Sequence, residues 1–86
     1  MEERRRSIIH EHEFVDDLGS LFVSERSSLE FVAAAEDLLS REPTAGVPEP
    51  DGLVWQLHMP PIGNLQVTLY YAFDDYAVVF IALRPI

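Results

Sequence analysis

The sequence predicts an α+β two-layer sandwich of order β-α-α-β-β-β, with a helical hairpin on an antiparallel sheet. Three observations lead there. The second half alternates apolar and mixed residues with the period of a strand, the first half carries apolar residues at helical spacing, and the one Pro- and Gly-rich segment lies between them. At 86 residues the chain suits a single domain over 1–86 with one modest core. It has no Cys, so disulfides and thiolate metal sites are excluded and stability must come from packing or from a partner.

Residues 53–59, 65–73 and 77–83 read as the three strands of a meander. Leu53, Trp55, Leu57, Met59, Leu65, Val67, Leu69, Tyr71, Phe73, Val79, Ile81 and Leu83 are all apolar or aromatic. Alternate side chains of a strand share a face, so this parity predicts that they build the core. The even positions, including Gln56, His58, Thr68, Tyr70, Val78, Phe80, Ala82 and Arg84, make a mixed second face. Pro60, Pro61, Gly63 and Asn64 break the first strand pair and Asp74-Asp75 turns the second, both connections being short enough for antiparallel neighbours.

In the first half, residues 7–14 place Ile8, Ile9 and Phe14 around alternating His and Glu, a pattern that suits a half-polar edge strand or equally the start of the next helix. This strand is expected at an edge or beside the third strand of the meander. Val15, Leu18, Leu21 and Phe22 share a helical stripe, with Asp16 and Asp17 in the first turn where carboxylates complement the helix dipole. Ser24 is the expected N-cap of a second helix that runs to Arg41 or Glu42 and stops before Pro43. Leu29, Val32, Ala33 and Leu39 lie on one side of it, widened by Phe31, Ala35 and Leu38. Residues 43–52, with three Pro and two Gly, read as a loop.

Charge narrows the partners. Fifteen acidic residues face six Arg, for a formal net charge of −9. Nucleic acid is bound chiefly by neutralising phosphates, so the chain lacks the usual electrostatic footprint, whereas an acidic surface suits a basic protein partner. Arg4, Arg5 and Arg6 suit either a solvated end, the commoner case beside Glu2 and Glu3, or a nucleic-acid or partner-binding cluster, and are left unassigned. No stretch approaches the roughly 20 apolar residues that cross a bilayer, and no apolar signal core follows the N-terminus. A cytoplasmic protein without a membrane partner is expected. Alternate imidazoles of the His10-Glu11-His12-Glu13 run would share one side of a strand, yet the run lacks the further ligands of a zinc site. No metal and no cofactor are expected.

The candidate chemistry lies on the mixed face. His58, Thr68, Tyr70 and Arg84 have the same parity and should project from one side of the sheet. A neutral imidazole serves as general base or acid, a phenol as proton donor or stacking surface, and a guanidinium as a bidentate phosphate clamp. Val78 and Phe80, placed on that face by parity, would make it partly apolar and hence a surface for binding.

Several segments together resemble the RelE/ParE superfamily of toxins from bacterial toxin–antitoxin pairs. They are Asp16-Asp17-Leu18, the helix end Leu38-Leu39-Ser40-Arg41-Glu42-Pro43-Thr44-Ala45-Gly46, Val54-Trp55-Gln56-Leu57-His58, Tyr70-Tyr71-Ala72-Phe73-Asp74-Asp75 and Ala82-Leu83-Arg84. The resemblance implies the same sandwich, an antitoxin protein as partner, and growth arrest either by ribosome-dependent cleavage of messenger RNA or, as in some relatives, by action on DNA gyrase. It puts His58 where many relatives have Arg, Thr68 where they have the Arg of a Tyr-Arg pair, and Arg84 on their terminal Arg. Two of three cationic positions are thus altered, which implies a degenerate catalytic site. The alternative is a non-catalytic interaction module of the same fold, for which homodimerisation through the exposed face is one form.

Overall fold

The computed structural model describes residues 5–86. In chain order the elements are β1 (Ser7–His10), α1 (His12–Leu21), α2 (Glu25–Arg41), a 3-10 turn (Pro43–Ala45), β2 (Val47–Pro48), β3 (Trp55–His58), β4 (Val67–Phe73) and β5 (Ala77–Pro85). The strands form one five-stranded sheet of order β1-β5-β4-β3-β2. The α+β class and the three-stranded meander are as expected from the sequence. Two features of the expected order change. The segment read as a loop contains a 3-10 turn and the short strand β2, and β1 runs parallel to β5, so the sheet is mixed rather than wholly antiparallel.

β1 lies beside the third strand of the meander and is shorter than its apolar pattern suggests. It ends at His10 because the Glu11 amide makes the last ladder bond, 2.9 Å to the Phe80 carbonyl, before the chain turns into α1. The helix therefore begins at His12, before the expected Val15, and carries Phe14 inward to complete burial. Asp16 and Asp17 consequently fall in its second turn, and Glu13 is the acidic residue of the first. Ser24 caps α2 as expected, its Oγ accepting from the Ser27 amide at 3.1 Å. The stripe that α2 buries is Phe31, Ala35 and Leu39, spaced by one helical turn each, with Phe22 against Phe31 at 5.2 Å between ring centroids. Leu29, expected on that stripe, is 60% exposed and Ala33 is also outside it.

Parity holds along β4 and fails along β5. Leu57, Leu69 and Leu83 share one row of the sheet and Trp55, Tyr71 and Phe80 the next, so all face the helices. Between these rows the β4–β5 register shifts, with Tyr70 opposite Ala82 but Tyr71 opposite Phe80. Ile81 is the extra residue, a β-bulge that reverses the facing of everything before it in β5. Val78 and Phe80 are therefore fully buried in the core, contrary to the expectation that put them on the mixed face, while Val79 and Ile81 are only half-buried. Phe80 packs edge-on against Phe14 at 5.3 Å. Leu53, expected in the core, precedes β3 and is 73% exposed.

The fully buried Tyr71 joins the sheet to the connection after α2. Its hydroxyl donates to the Pro43 carbonyl at 2.7 Å and accepts from the Gly46 amide at 3.0 Å. Burial raises its pKa, so the donor proton is retained at neutral pH. Gly46 has no room for a side chain, since a Cβ there would overlap the Gln56 carbonyl and lie 2.7 Å from Tyr71 Oη. Held in this way, the next residue, Val47, pairs with Gln56 and β2 extends the sheet. At the opposite corner, Asp74 Oδ1 accepts from the amides of Tyr76 and Ala77 at 2.8 Å each, closing the β4–β5 turn.

Three outcomes follow from this packing. Tyr71→Phe leaves the Pro43 carbonyl and the Gly46 amide without their partner and should lower the urea-unfolding free energy by about 1–3 kcal/mol. Phe80→Ala should cost about 3–5 kcal/mol and Ile81→Ala clearly less, the reverse of the order that unbroken strand parity requires. Asp74 titrates below the usual carboxylate range because the Tyr76 and Ala77 amides bond its charged form. Its contribution is then present above the ordinary Asp pKa and lost as pH falls through the depressed one. A thermal melting series taken to acid pH should show Asp74→Asn converging on the natural chain at the acid end.

Candidate functional site on the open sheet face

The sheet brings three of the four sequence-predicted site residues into a single row. His58 pairs with Thr68, and Thr68 pairs with Arg84, so β3, β4 and β5 each supply one residue on the face that the helices leave uncovered. Adjacent strands lie about 4.8 Å apart, which puts the His58 and Arg84 backbones about 10 Å from each other. Tyr70 sits in the next row, between Gln56 and Ala82. Arg84 keeps its expected parity because it lies beyond the bulge at Ile81.

The side chains differ sharply in availability. His58 closes β3, is exposed and makes no side-chain hydrogen bond among the described residues. Thr68, flanked by both neighbours in the ladder, is buried, and Tyr70 is half-buried. Arg84 is the residue whose charge is already used. Its Nη1 donates to Asp17 Oδ2 at 2.8 Å and to the Leu83 carbonyl at 2.7 Å, and its Nη2 donates to Glu13 Oε2 at 3.3 Å. The Asp17 hydrogen bond, ahead of the partial desolvation that opposes it, raises the Arg84 pKa, so the group is a permanent cation.

Asp17 also accepts from the Leu83 amide at 3.0 Å. That amide points away from β4 by the alternation of the ladder, and because β1 ends opposite Phe80 it meets no strand on the outer edge of β5. α1 runs along this edge, and its carboxylates draw the guanidinium outward, away from His58. The sequence signal for this was Glu13 and Asp17 four residues apart, which places two acids on one helix face. Asp17 was read instead as a partner of the helix dipole, since nothing local indicated which strand α1 would border.

The remaining cations are similarly engaged. Arg5 bonds Asp37 Oδ1 at 3.1 Å, Arg41 bonds Asp37 Oδ2 at 2.7 Å, and Arg26 lies 3.4 Å from Glu30. Arg6 Nε donates to the Asp74 carbonyl at 2.7 Å, with its guanidinium 5.9 Å from the Phe73 ring centroid. Arg5, still more than half exposed, and Arg6 thus tie the N-terminal segment to α2 and to the β4–β5 turn; Arg4 lies outside the described residues. The His10-to-Glu13 run is divided between strand and helix. His10 Nε2 meets Glu36 at 2.9 Å, stacked on Phe80, and His12 meets Asp16 at 3.3 Å. Among the described residues no group of His, Asp and Glu is arranged to hold a metal ion.

A chain in the crystal structure of the toxin–antitoxin complex RelBE2 from Mycobacterium tuberculosis superimposes on this one with a TM-score of 0.76. The match covers 99% of this chain and 95% of that chain at 20% sequence identity. The two share a fold. The sandwich implied by the RelE/ParE resemblance is thus the sandwich observed, over nearly the whole of both chains. No family model and no curated relative matches the chain. Among the described residues no helix is long and apolar enough to cross a membrane.

The exposure of His58 gives a clean probe. His58→Ala should leave chemical-denaturation stability within about 0.5 kcal/mol of the natural chain, so that any change in biological effect reports on the open face itself.

Proposed function

We propose that the protein is a RelE/ParE-like toxin component of a toxin–antitoxin pair that arrests growth by binding a protein target rather than by cutting RNA. An antitoxin is its neutralising partner. The near full-length likeness to a chain of the RelBE2 complex supports the toxin–antitoxin setting, and the acidic balance supports a basic protein partner. The observation that carries the choice of contact over cleavage is the state of Arg84. Its guanidinium is bonded to two carboxylates of α1, and Thr68 beside it offers no charge. Phosphodiester cleavage requires stabilisation of charge that develops on the phosphate, and loss of one such donor commonly costs on the order of 10²–10³ in rate. A row of His, Thr and a neutralised Arg has little with which to provide it. DNA gyrase, on which some members of the resembling superfamily act without nuclease chemistry, is a target of the right kind.

The second reading is ribosome-dependent mRNA cleavage with a weakened site, favoured by the alignment of His58, Thr68 and Arg84 in one row with Tyr70 adjacent. In it His58 is the general base or acid, Tyr70 stacks on a base, and Arg84 clamps the phosphate. Homodimerisation through the open face is one form of the remaining alternative, a non-catalytic interaction module of the same fold that is not itself a toxin.

Inducible expression in a bacterial host separates these readings. The expected result is growth arrest that persists in His58→Ala and in Arg84→Ala and that is relieved by co-expression of the antitoxin. Arrest abolished by either substitution would put the site on this row and overturn the first reading as stated, and fragmentation of messenger RNA in cells arrested by the natural chain would then establish the cleavage reading. No arrest with the natural chain, despite accumulation of folded protein, would leave the interaction module.

A further inference from the structure

The contact between α1 and Arg84 does more than neutralise a charge. We infer that Asp17 and Glu13 are an internal mask that holds the Arg84 guanidinium away from His58 and Thr68, and that replacing their charges frees Arg84 to bind a phosphodiester on the open face. This rests on the second reading above, in which the row is where RNA would be met, and it assigns both acids as positioning residues.

Asp17 is anchored independently of the arginine. Its Oδ2 takes the Leu83 amide, which has no strand to pair with beyond the end of β1, and the side chain is only 23% exposed. The oxygen that satisfies the backbone is the same one that accepts from Arg84 Nη1, so the guanidinium meets a preformed acceptor rather than a freely moving surface acid. Glu13, one helical turn earlier on α1, takes Nη2. Both outer nitrogens of the fork thus donate to carboxylate oxygens, which uses the end-on side of the guanidinium, one of the two sides with which arginine grips a phosphate in bidentate fashion. The third contact, from Nη1 to the Leu83 carbonyl, fixes the side chain against its own strand. Arg84 and Glu13 are each more than half exposed, and ion pairs at such exposure are readily displaced and weakened by salt. The mask is thus able to open.

The test compares binding of a fluorescently labelled single-stranded RNA at low ionic strength by four proteins: the natural chain, Glu13→Gln/Asp17→Asn, the same pair with Arg84→Ala, and Glu25→Gln/Glu49→Gln as a control of equal charge change. Asn at 17 keeps a carbonyl oxygen for the Leu83 amide and removes only the charge. The expected result is that the mask variant binds about tenfold more tightly than the natural chain, that Arg84→Ala returns it to the natural value, and that the control tightens less than about threefold. Equal binding by the mask variant and the natural chain would overturn the inference. So would a gain that survives Arg84→Ala, or one that the control matches, since either would be a general charge effect. Should the double variant fail to fold, Glu13→Gln alone, whose carboxylate contacts only Arg84, is expected to tighten binding about threefold, and no change there overturns the mask equally. Failure here is distinct from failure of the proposed function, which is read from growth arrest of the natural chain.

Discussion

The pairing of β4 with β5 is the constraint on which the rest of the molecule depends. It joins the two longest strands, places Leu69 with Leu83 and Tyr71 with Phe80 under the helices, and contains the one-residue slip at Ile81. Without the slip, Phe80 and Val78 would face away from α1 and Phe14 would lose its edge-on contact with Phe80. With the slip, the first half of β5 contributes to the core through its even residues and the end of the strand through Leu83. Arg84, paired with Thr68 beyond the bulge, keeps its place on the open face, so the inserted residue sets the core without moving the candidate site.

β5 is also where the two ends of the chain meet. β1 pairs with its first half, and α1 then takes over along the remaining edge. An unpaired sheet edge has amides to satisfy, and Asp17 satisfies that of Leu83 from the helix side. The same carboxylate collects the arginine beside it. A structural requirement at the sheet edge and the electrostatic state of the candidate site thus have one cause, and neither can be altered without consequence for the other.

The acidic composition acts through these local pairings. With so few cations, each described arginine is held by a carboxylate or a main-chain carbonyl, and several of these contacts fasten segments distant in sequence. Asp37 receives both Arg5 and Arg41, which holds its carboxyl below the usual range and links the N-terminal segment to the end of α2. The arginines are thereby structural before they are available to a ligand, which fits a protein that meets protein partners more readily than phosphate.

Much of this was legible in the residues themselves. Alternation along 65–73 located β4 and its buried face; Ser24 and Pro43 bounded α2; and parity put His58, Thr68 and Arg84 on one side. These properties depend on near neighbours in the chain, where helical and strand periods, caps and proline act. The tertiary structure alone decided the bulge at Ile81, the parallel placement of β1, the pairing of β2 under the hold of Tyr71, and the capture of Arg84 by Asp17 and Glu13. Each of those joins residues far apart in sequence, and a spacing pattern carries no information about which distant strand or helix will lie alongside. The sequence alone therefore determined β4 and its buried face, the bounds of α2 and the shared side of His58, Thr68 and Arg84, whereas the facing of the first half of β5 and the direction in which Arg84 turns were decided by the strand and helix that came to border them.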